Sequence, residues 1–191
     1  QLFSRYSSSS EVTKSPVLAT VCLSMSDMRQ SPLTALKVAD LNTNKIEVID
    51  GAKSASEIAA IACDIVLNGI SGSIGLGPTL AALSVGNKVA LANKESLVAG
   101  GDLVMAFGRD QIIPVDSEHS ALYQCFLSGK ASEVKQVILT ASGGPFRDRN
   151  DLSDISVADA LNHPTWSMGP VVTINSATLM NKGLEIIEAH Y

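Results

Sequence analysis

Long apolar runs are missing from this 191-residue sequence, which limits the classes of protein it can belong to. No window approaches the roughly 18 consecutive apolar residues that a membrane-spanning helix needs, and the apolar run at residues 17–23 is too short. That run also follows neither an initiating Met nor a basic leader, so it makes a poor signal peptide. We therefore expect a soluble, cytoplasmic protein with no membrane partner.

Cysteine and clustered basic residues are also scarce. Cys22, Cys63 and Cys125 are odd in number and lack Cys-x-x-Cys spacing, so we expect free, buried thiols in a reducing compartment. The chain has 14 basic and 19 acidic residues, a formal charge of -5, and no dense Lys/Arg run. This composition excludes an evident nucleic-acid footprint. The apolar fraction of 46% and the charged fraction of 17% indicate a globular chain.

From about residue 45, short apolar segments alternate with helical patterns. Such alternation predicts a parallel sheet covered by helices. The predicted strands lie at residues 46–49, 64–68, 89–92 and 112–115, with 64–68 as a buried strand. The predicted helices lie at residues 54–63, with Ser54 or Ser56 as N-cap, and at 78–85 and 94–107.

After residue 115 the pattern loosens, and we place a domain boundary near residues 114–115. The predicted domains are therefore 1–114 and 115–191. In the second domain we predict helices at 117–126 and 178–190 and strands at 134–140 and 171–174. The stretch 143–169 is punctuated by Pro and Gly and holds only a weak helix near Val157–Leu161, and loops of this length are usually functional or mobile.

Asp116, Ser117 and Glu118 lie where a predicted strand ends and a helix begins. At such a corner two carboxylates can converge on one cation. Alternatively, Asp116 or Ser117 caps the helix, and the acidic residues lie near the positive end of its dipole. The segment alone leaves both interpretations open.

The last predicted helix carries Asn181, Lys182 and Glu185, with Asn181 and Glu185 on one face and Lys182 beside them. An amide, an ammonium and a carboxylate would suit an anionic substrate next to a metal, and a solvated helix face is the alternative. Combined with Asp116 and Glu118, Glu185 would supply a third oxygen ligand of the kind that Mg²⁺ or Mn²⁺ prefers.

Several further positions are compatible with ligand binding or with ordinary structure. Ser142 and the two glycines after it can admit a ligand close to the backbone or form a plain turn. Ser176 follows a predicted strand and precedes the last helix, whose N-terminus can receive phosphate. His163 lies in the long loop near Trp166, the only Trp, which suits a lid. The glycines between residues 69 and 77 lack the Lys-Ser/Thr ending of a P-loop, and no Gly-x-Gly-x-x-Gly motif with an acidic partner is present.

Six segments carry a family resemblance, at residues 69–79, 90–98, 114–121, 139–147, 163–169 and 174–185. The most specific are Asp-Ser-Glu-His (116–119) and Asn-Ser-Ala-Thr followed by Asn-Lys-Gly-Leu-Glu (175–185). In order and spacing they resemble the 1-deoxy-D-xylulose 5-phosphate reductoisomerase family, which commits carbon to the non-mevalonate isoprenoid route. The resemblance covers roughly residues 45–191.

The resemblance implies roles for individual residues. Asp116, Glu118 and Glu185 would hold Mn²⁺ or Mg²⁺, with Co²⁺ as a further option, and Lys94 and Ser117 would contact the hydroxyketone end of the substrate. With His163, the expected catalytic residues are Lys94, Asp116, Glu118 and Glu185. The expected substrate-binding residues are Lys94, Ser117, Glu118, Ser142, His163, Ser176, Asn181, Lys182 and Glu185.

The resemblance also implies an NADPH site, contacted by Asn93, Glu95 and Gly169, and a lid that carries Trp166 and Met168. The implied fold is α/β, with a Rossmann-like, N-terminally truncated NADPH-binding domain followed by an α+β catalytic domain with a long mobile lid loop. The implied partners are a phosphorylated hydroxyketone and a second copy of the chain, as a homodimer. The location would be cytoplasmic, as in bacteria, with a plastid as the alternative.

The implied reaction converts 1-deoxy-D-xylulose 5-phosphate to 2-C-methyl-D-erythritol 4-phosphate. The family's cofactor-phosphate loop is expected before Gln1 and its helical region after Tyr191, so we expect the isolated chain to be inactive. Asn175 and Thr165 stand where Asp and Asn are common in the family.

Two other functions stay open from the sequence. A different Rossmann-type dehydrogenase would explain the α/β half but not the three carboxylates. An inactive fragment or binding-only homologue would keep the phosphate pocket but has no need of those carboxylates.

Overall fold

The structure is a computed structural model that describes Ile49 and residues 51–191. Cys22 and the apolar run at 17–23 lie outside the described residues, as does the strand predicted at 46–49 except for Ile49, which belongs to no helix or strand. No helix among the described residues is long and apolar enough to cross a membrane.

Three parallel strands form the described sheet, and they lie side by side in chain order. The central strand places Ala90 opposite Leu67 of one neighbour and Ile113 of the other. The strands are β1 (Ile65–Asn68), β2 (Lys88–Leu91) and β3 (Ile112–Pro114), and helices α1 (Ser54–Ala59), α2 (Leu76–Ser84) and α3 (Glu95–Met105) alternate with them. This arrangement confirms the predicted α/β class with a parallel sheet.

The hydrophobic core of this half lies between β2 and helices α2 and α3. Val89 and Leu91 of β2 pack with Leu83 of α2 and with Leu97 and Val104 of α3, and all five are buried. Burial of this apolar surface is the main favourable contribution to folding. The core therefore fixes the carboxyl end of β2, from which residues 92–94 lead into α3.

Strand β1 was predicted to be buried, but one of its two faces is exposed. Ile65 is 52% and Leu67 68% exposed, although they belong to the same apolar run as half-buried Val66. Ile65 and Leu67 project to one face because side chains alternate along a strand. The described helices leave that face of the edge strand uncovered.

Residues 115–191 contain helices and no strand among the described residues. The helices are α4 (Ser117–Leu127), α5 (Val157–Leu161), α6 (Pro170–Ala177) and α7 (Met180–His190), and 3₁₀ turns occur at Ser73–Gly75, Arg109–Gln111 and Ala131–Glu133. The helices predicted at 117–126, near 157–161 and at 178–190 are confirmed within a few residues.

The two strands predicted in this half are wrong. Residues 134–140 pair with no described strand, and β-branched composition alone does not make a strand without a partner to complete the backbone hydrogen bonds. Residues 171–174 lie instead in α6, where Gly169 is the N-cap and Pro170 occupies the first turn. Proline in the first helical turn favours a helix start, and here this outweighs the β-branched residues that follow.

Helix α1 is shorter than predicted and has a different N-cap. The helix predicted at 54–63 ends at Ala59, and its N-cap is Lys53, without a side-chain cap. The proposed Ser54 or Ser56 cap is therefore wrong. Gly86, with φ of 84°, follows α2, and this left-handed conformation is typical of the glycine that ends a helix.

The two described cysteines differ in environment. Cys63 and Cys125 are both free, as predicted, and Cys63 is half-buried. Cys125 is exposed, so the expectation of a buried thiol is wrong there. It lies on α4, a helix in which His119 is the one buried residue.

Helix α7 packs on α3 and so joins the second half to the first. Tyr191 packs against the core cluster, and a Cβ placed on buried Gly101 would lie 2.2 Å from its ring. Before α7 the chain turns at Leu179, whose φ of 59° is left-handed. The contact between Gly101 and Tyr191 therefore places the C-terminal end of α7 against the middle of α3.

We predict that Gly101→Ala lowers the free energy of unfolding by about 1–3 kcal/mol, because the added methyl group must displace the Tyr191 ring. Urea denaturation would measure this. The control is Gly183→Ala in α7, where a Cβ meets nothing within 4 Å. It should be neutral or stabilise by up to about 1 kcal/mol. Equal effects of the two substitutions would contradict the packing argument.

Candidate functional site

Three carboxylates from two helices converge beside the end of the sheet. Asp116 is the N-cap of α4, Glu118 lies in its first turn, and Glu185 lies in α7. One carboxylate oxygen of each lies within 4.8 Å of those of the others. Asp116 makes no side-chain cap hydrogen bond, so the capping interpretation of its carboxylate is not supported. The structure brings together the three residues expected to bind metal.

Two lysines balance these carboxylates. Lys94 Nζ lies 2.5 Å from Asp116 Oδ2 and 3.2 Å from Glu185 Oε1. Lys182 Nζ lies 3.1 Å from Glu118 Oε1 and also contacts Glu185 Oε2. Glu185 is only 1% exposed, and a buried charge is tolerated only when it is paired. Three negative and two positive groups leave a net charge of -1 in the cluster.

The lysine pKa values are raised by this pairing. Burial acts to lower the pKa of Lys94, but its hydrogen bond to Asp116 and the charges of Asp116 and Glu185 outweigh burial. The same competition raises the pKa of Lys182, through Glu185 and Glu118. Both ammonium groups therefore stay charged at neutral pH.

The pKa of Glu118 is lowered for the complementary reason. Burial acts to raise it, and the hydrogen bonds from Ser117 and Lys182 outweigh burial. Ser117, expected at the substrate, is exposed and donates its hydroxyl to Glu118 Oε2. Glu118 is thus an ionised ligand candidate at neutral pH.

A polar cavity adjoins the carboxylates. It contains Ser142 from the loop after residue 140 and Ser176 from α6, and its lining is Glu118, Ala141, Ser142, Gly143, Ser176, Leu179, Asn181 and Lys182. Four of the expected substrate-binding residues, Ser142, Ser176, Asn181 and Lys182, therefore meet at one place. Ser176 lies near the C-terminal end of α6, not between a strand and a helix N-terminus, so its predicted local setting is wrong.

Two glycines let the loop carrying Ser142 approach α6. Gly143 and Gly144 have φ of 83° and 65°, which favours glycine. A Cβ on Gly144 would lie 2.9 Å from the backbone oxygen of Ser176. The glycines therefore do more than form a turn. They let the loop backbone contact the backbone of α6, which places Ser142 beside Ser176.

Asn181 links the cavity to the carboxylates. Its Oδ1 accepts a 3.0 Å hydrogen bond from Lys94, and its amide donates to Glu185 Oε1. The predicted shared face of Asn181 and Glu185 is confirmed by this contact. Lys94 therefore contacts two of the three carboxylates, those of Asp116 and Glu185, and the Asn181 amide beside them.

His163 contacts the cavity through Ser142. Its Nε2 lies 3.3 Å from Ser142 Oγ, and its Nδ1 accepts the backbone N–H groups of Thr165 at 3.2 Å and Trp166 at 2.9 Å. Because Nδ1 accepts twice, the ring proton belongs on Nε2. His163 can therefore donate toward the cavity. Trp166 is 63% exposed and Met168 half-buried.

The residues expected near the nicotinamide are only partly brought together. Asn93 is buried, and its amide donates to the backbone oxygens of Ile70 at 2.5 Å and Gly72 at 2.9 Å and to Glu95 Oε2 at 2.9 Å. It thus braces the glycine-rich turn. Gly169 begins α6, and no hydrogen bond in the described part of the chain joins it to Asn93 or Glu95.

Two buried residues that had no predicted role lie behind the carboxylates. His119 Nε2 lies 2.9 Å from the backbone oxygen of Glu185, and its Nδ1 lies 3.3 Å from Glu188 Oε2. Burial, and then the charge of Asp116, raises the pKa of Glu188 to about 7 although Lys94 opposes this. The sequence signal was their spacing, three residues after Asp116 and three after Glu185.

Two family models match the chain. Residues 13–101 match "1-deoxy-D-xylulose 5-phosphate reductoisomerase", and residues 112–191 match its C-terminal domain. The chain belongs to the 1-deoxy-D-xylulose 5-phosphate reductoisomerase family. The expected resemblance is confirmed.

Curated relatives carry the same name. The chain is 60% identical over 147 residues to 1-deoxy-D-xylulose 5-phosphate reductoisomerase of Streptomyces coelicolor. The aligned residues are 75% of this chain and 35% of the relative. The chain is 57% identical over 166 residues to the Paenarthrobacter aurescens reductoisomerase, covering 85% and 42%. The chain thus spans well under half the length of these relatives.

Solved reductoisomerase structures resemble this one. A structure of DOX-P reductoisomerase in complex with NADPH, fosmidomycin and magnesium matches with a TM-score of 0.70 and 42% identity, over 82% of this chain and 42% of that one. The Zymomonas mobilis reductoisomerase in complex with NADPH matches with a TM-score of 0.64 and 44% identity, over 73% and 37%.

We predict that Glu188 makes stability depend on pH. Its folded pKa of about 7 lies above the ordinary value of 4.5, so ionisation is penalised in the folded state. The free energy of unfolding should fall as pH rises from about 4.5 to 7, by on the order of a few kcal/mol, and level off above.

Urea denaturation of wild type and Glu188→Gln across pH 4–8 would test this. The variant should lack most of the decline, and Asp154→Asn, at an exposed carboxylate, should keep it. Parallel profiles for wild type and Glu188→Gln would refute the assignment.

Proposed function

We propose that this chain provides the metal and substrate site of an NADPH- and divalent-metal-dependent reductoisomerase. The reaction converts 1-deoxy-D-xylulose 5-phosphate to 2-C-methyl-D-erythritol 4-phosphate. The observation that carries the proposal is the set of Asp116, Glu118 and Glu185 within 4.8 Å, directly beside a polar cavity. The similarity to reductoisomerases, one of them solved in complex with NADPH, fosmidomycin and magnesium, supports it.

The donor set fits a hard divalent cation. Asp116, Glu118 and Glu185 offer carboxylate oxygens alone, the ligands that Mg²⁺ and Mn²⁺ prefer, and Co²⁺ also accepts them. Three similar reductoisomerase structures were solved with magnesium. When bound, the metal would act as a Lewis acid on the substrate ketone and orient its neighbouring hydroxyl.

Charge balance couples the metal to the lysines. Lys94 and Lys182 now neutralise carboxylates that a divalent cation would neutralise instead. Each ammonium would then be available to the anionic substrate, Lys94 near the hydroxyketone end and Lys182 in the cavity. The net charge of the cluster would change from -1 to +1, which favours a phosphate ester.

The cavity suits a phosphate. Ser142, Ser176, Asn181 and Lys182 offer hydroxyl, amide and ammonium donors. Glu118 also lines the cavity, and its negative charge would oppose a phosphate until a cation neutralises it. Phosphate binding remote from the reacting carbons can supply binding energy for orientation and closure. His163 would add its Nε2–H, and Trp166 and Met168 would belong to the lid.

The nicotinamide cofactor is proposed to lie near Glu95 and Gly169. Glu95 follows Lys94 at the start of α3, so a cofactor there would be next to the substrate site. No atom lies within 4 Å of a Cβ built on Gly169, which leaves room for close approach. Asn93 would contribute through the turn at 70–72 that its amide holds. Two similar reductoisomerase structures were solved in complex with NADPH.

The division into a cofactor domain at 1–114 and a catalytic domain at 115–191 stays a prediction, as does the homodimer. The rival dehydrogenase function does not use three converging carboxylates. A binding-only homologue would keep the cavity without needing a metal. Metal binding and turnover separate the three functions.

We predict one Mn²⁺ bound per chain, measured by isothermal titration calorimetry. Asp116→Asn and Glu185→Gln each remove a charged ligand and should weaken binding by roughly 10-fold or more. Asp102→Asn, at an exposed carboxylate on α3, should bind like wild type. Circular dichroism would verify that each variant is folded. Unchanged affinity in both site variants would exclude the three-carboxylate site.

We predict Mn²⁺-dependent NADPH oxidation with 1-deoxy-D-xylulose 5-phosphate when residues 45–191 replace the matching part of the Streptomyces coelicolor reductoisomerase. The chimera should be active because these residues carry the proposed metal and substrate ligands. The 191-residue chain, assayed beside it, should be inactive or nearly so.

The control is the same chimera with Glu185→Gln, which should lose nearly all turnover. A folded chimera that binds Mn²⁺ but does not oxidise NADPH would favour the binding-only function. Metal-independent oxidation with a simple aldehyde would favour another dehydrogenase.

A further inference from the structure

His119 is a buried histidine directly behind the proposed metal ligands. It lies in the first turn of α4, one residue after Glu118, and is only 7% exposed. Its Nε2 is 2.9 Å from the backbone oxygen of Glu185 in α7. The contact therefore joins the helix that carries Asp116 and Glu118 to the residue that supplies the third carboxylate.

The partner at Nε2 determines where the ring proton lies. A backbone carbonyl can only accept a hydrogen bond, so Nε2 must carry the proton and donate. This leaves Nδ1 facing Glu188 Oε2 at 3.3 Å. The contact with the Glu185 backbone oxygen thus fixes the protonation of Nε2.

Nδ1 of His119 and Oε2 of Glu188 are both buried and have no other hydrogen-bond partner. Leaving two buried polar atoms unpaired is costly, and one proton between them satisfies both. A protonated Glu188 would donate to Nδ1 of the neutral ring, and an ionised Glu188 would accept from Nδ1–H of a ring that carries both protons. In either state Glu188 holds the imidazole from the side opposite Glu185.

We propose that His119 is a positioning residue for the metal site, with Glu188 as its support. By donating to the Glu185 backbone, His119 fixes the α7 turn that carries the buried carboxylate relative to Asp116 and Glu118. The inference rests on the proposed metal site, and the tests below separate the two.

The ion pairs do not provide the same restraint. Lys182 also joins the two helices, through Glu118 and Glu185, but a divalent cation competes for both carboxylates. The bond from His119 goes to a backbone oxygen, which the proposed ligand set does not use. It therefore persists when the cation is bound. Partners of this kind that orient ligands typically contribute 10–100-fold in metal affinity.

A second cation is the competing interpretation of the same residues. Asp116, His119 and Glu188 also place one ligand atom each within 4.8 Å of one another. That set would bind a cation through the His119 nitrogen. The hydrogen bond between His119 and Glu185 leaves Nδ1 available to such a cation, so the number of bound ions must be measured.

The test is Mn²⁺ affinity by isothermal titration calorimetry for His119→Phe and His119→Gln. The phenyl ring fills the site without a donor, and we expect roughly 10–100-fold weaker binding. The glutamine amide can place a donor near the Nε2 position, and we expect most of the affinity to return. Asn87→Ser removes hydrogen bonds from a buried amide far from the site, to Ala59 and Ile61 among others. It should lower the thermal midpoint without changing Mn²⁺ affinity.

The outcomes separate the inference from the function on which it rests. Absence of Mn²⁺ binding by wild type, or unchanged binding by Glu185→Gln, would overturn the metal site itself. Normal binding by His119→Phe, while Glu185→Gln binds poorly, would overturn only the positioning role. Equal losses in His119→Phe and His119→Gln would assign the effect to imidazole packing and also overturn it. Two Mn²⁺ per chain, reduced to one in Glu188→Gln, would establish the second cation instead.

If His119→Phe does not fold, His119→Ala provides the second variant, titrated with and without free imidazole. Imidazole in the vacated space should recover part of the Mn²⁺ affinity. No recovery in a folded His119→Ala protein that binds Mn²⁺ weakly would count against the hydrogen bond as the cause.

Discussion

Burial of the Glu185 carboxylate is the constraint on which the site depends. An ionised carboxylate removed from water needs compensating charge and hydrogen bonds. Lys94, Lys182 and Asn181 all contact this one side chain, and they come from the start of α3 and from α7 itself. The requirement to compensate Glu185 therefore draws the sheet half and the helical half together at the same point.

The same constraint explains why the cavity lies where it does. Lys182 and Asn181 contact Glu185 and also line the cavity. There they face the loop that carries Ser142 and the end of α6 that carries Ser176. Glycine at 144 permits the backbone contact that closes this arrangement. Charge compensation and close backbone packing are thus satisfied by one local geometry.

Much of this could be predicted from the sequence, for identifiable reasons. The parallel sheet followed from strands such as Lys88–Leu91 bounded by helices, and the carboxylate set followed from the segments around Asp116 and Glu185. Residues 134–140 were mispredicted because strand formation depends on a partner that propensity cannot supply. Residues 171–174 were mispredicted because Pro170 starts a helix there. The pairing of His119 with Glu188 joins positions 69 apart (188 - 119), which no local pattern encodes.

Leu179 has a consequence of its own. A non-glycine residue with φ of 59° costs roughly 1 kcal/mol, and here it separates α6 from α7. Glycine would adopt this conformation more easily but would also let the two helix axes vary in direction. Leucine at this position lowers the stability slightly, but it also restricts the angle between α6 and α7 and so the way in which Ser176 and Asn181 face each other. The cavity is thereby shaped before any ligand arrives, and ligand binding need not bear the entropic cost of ordering that corner.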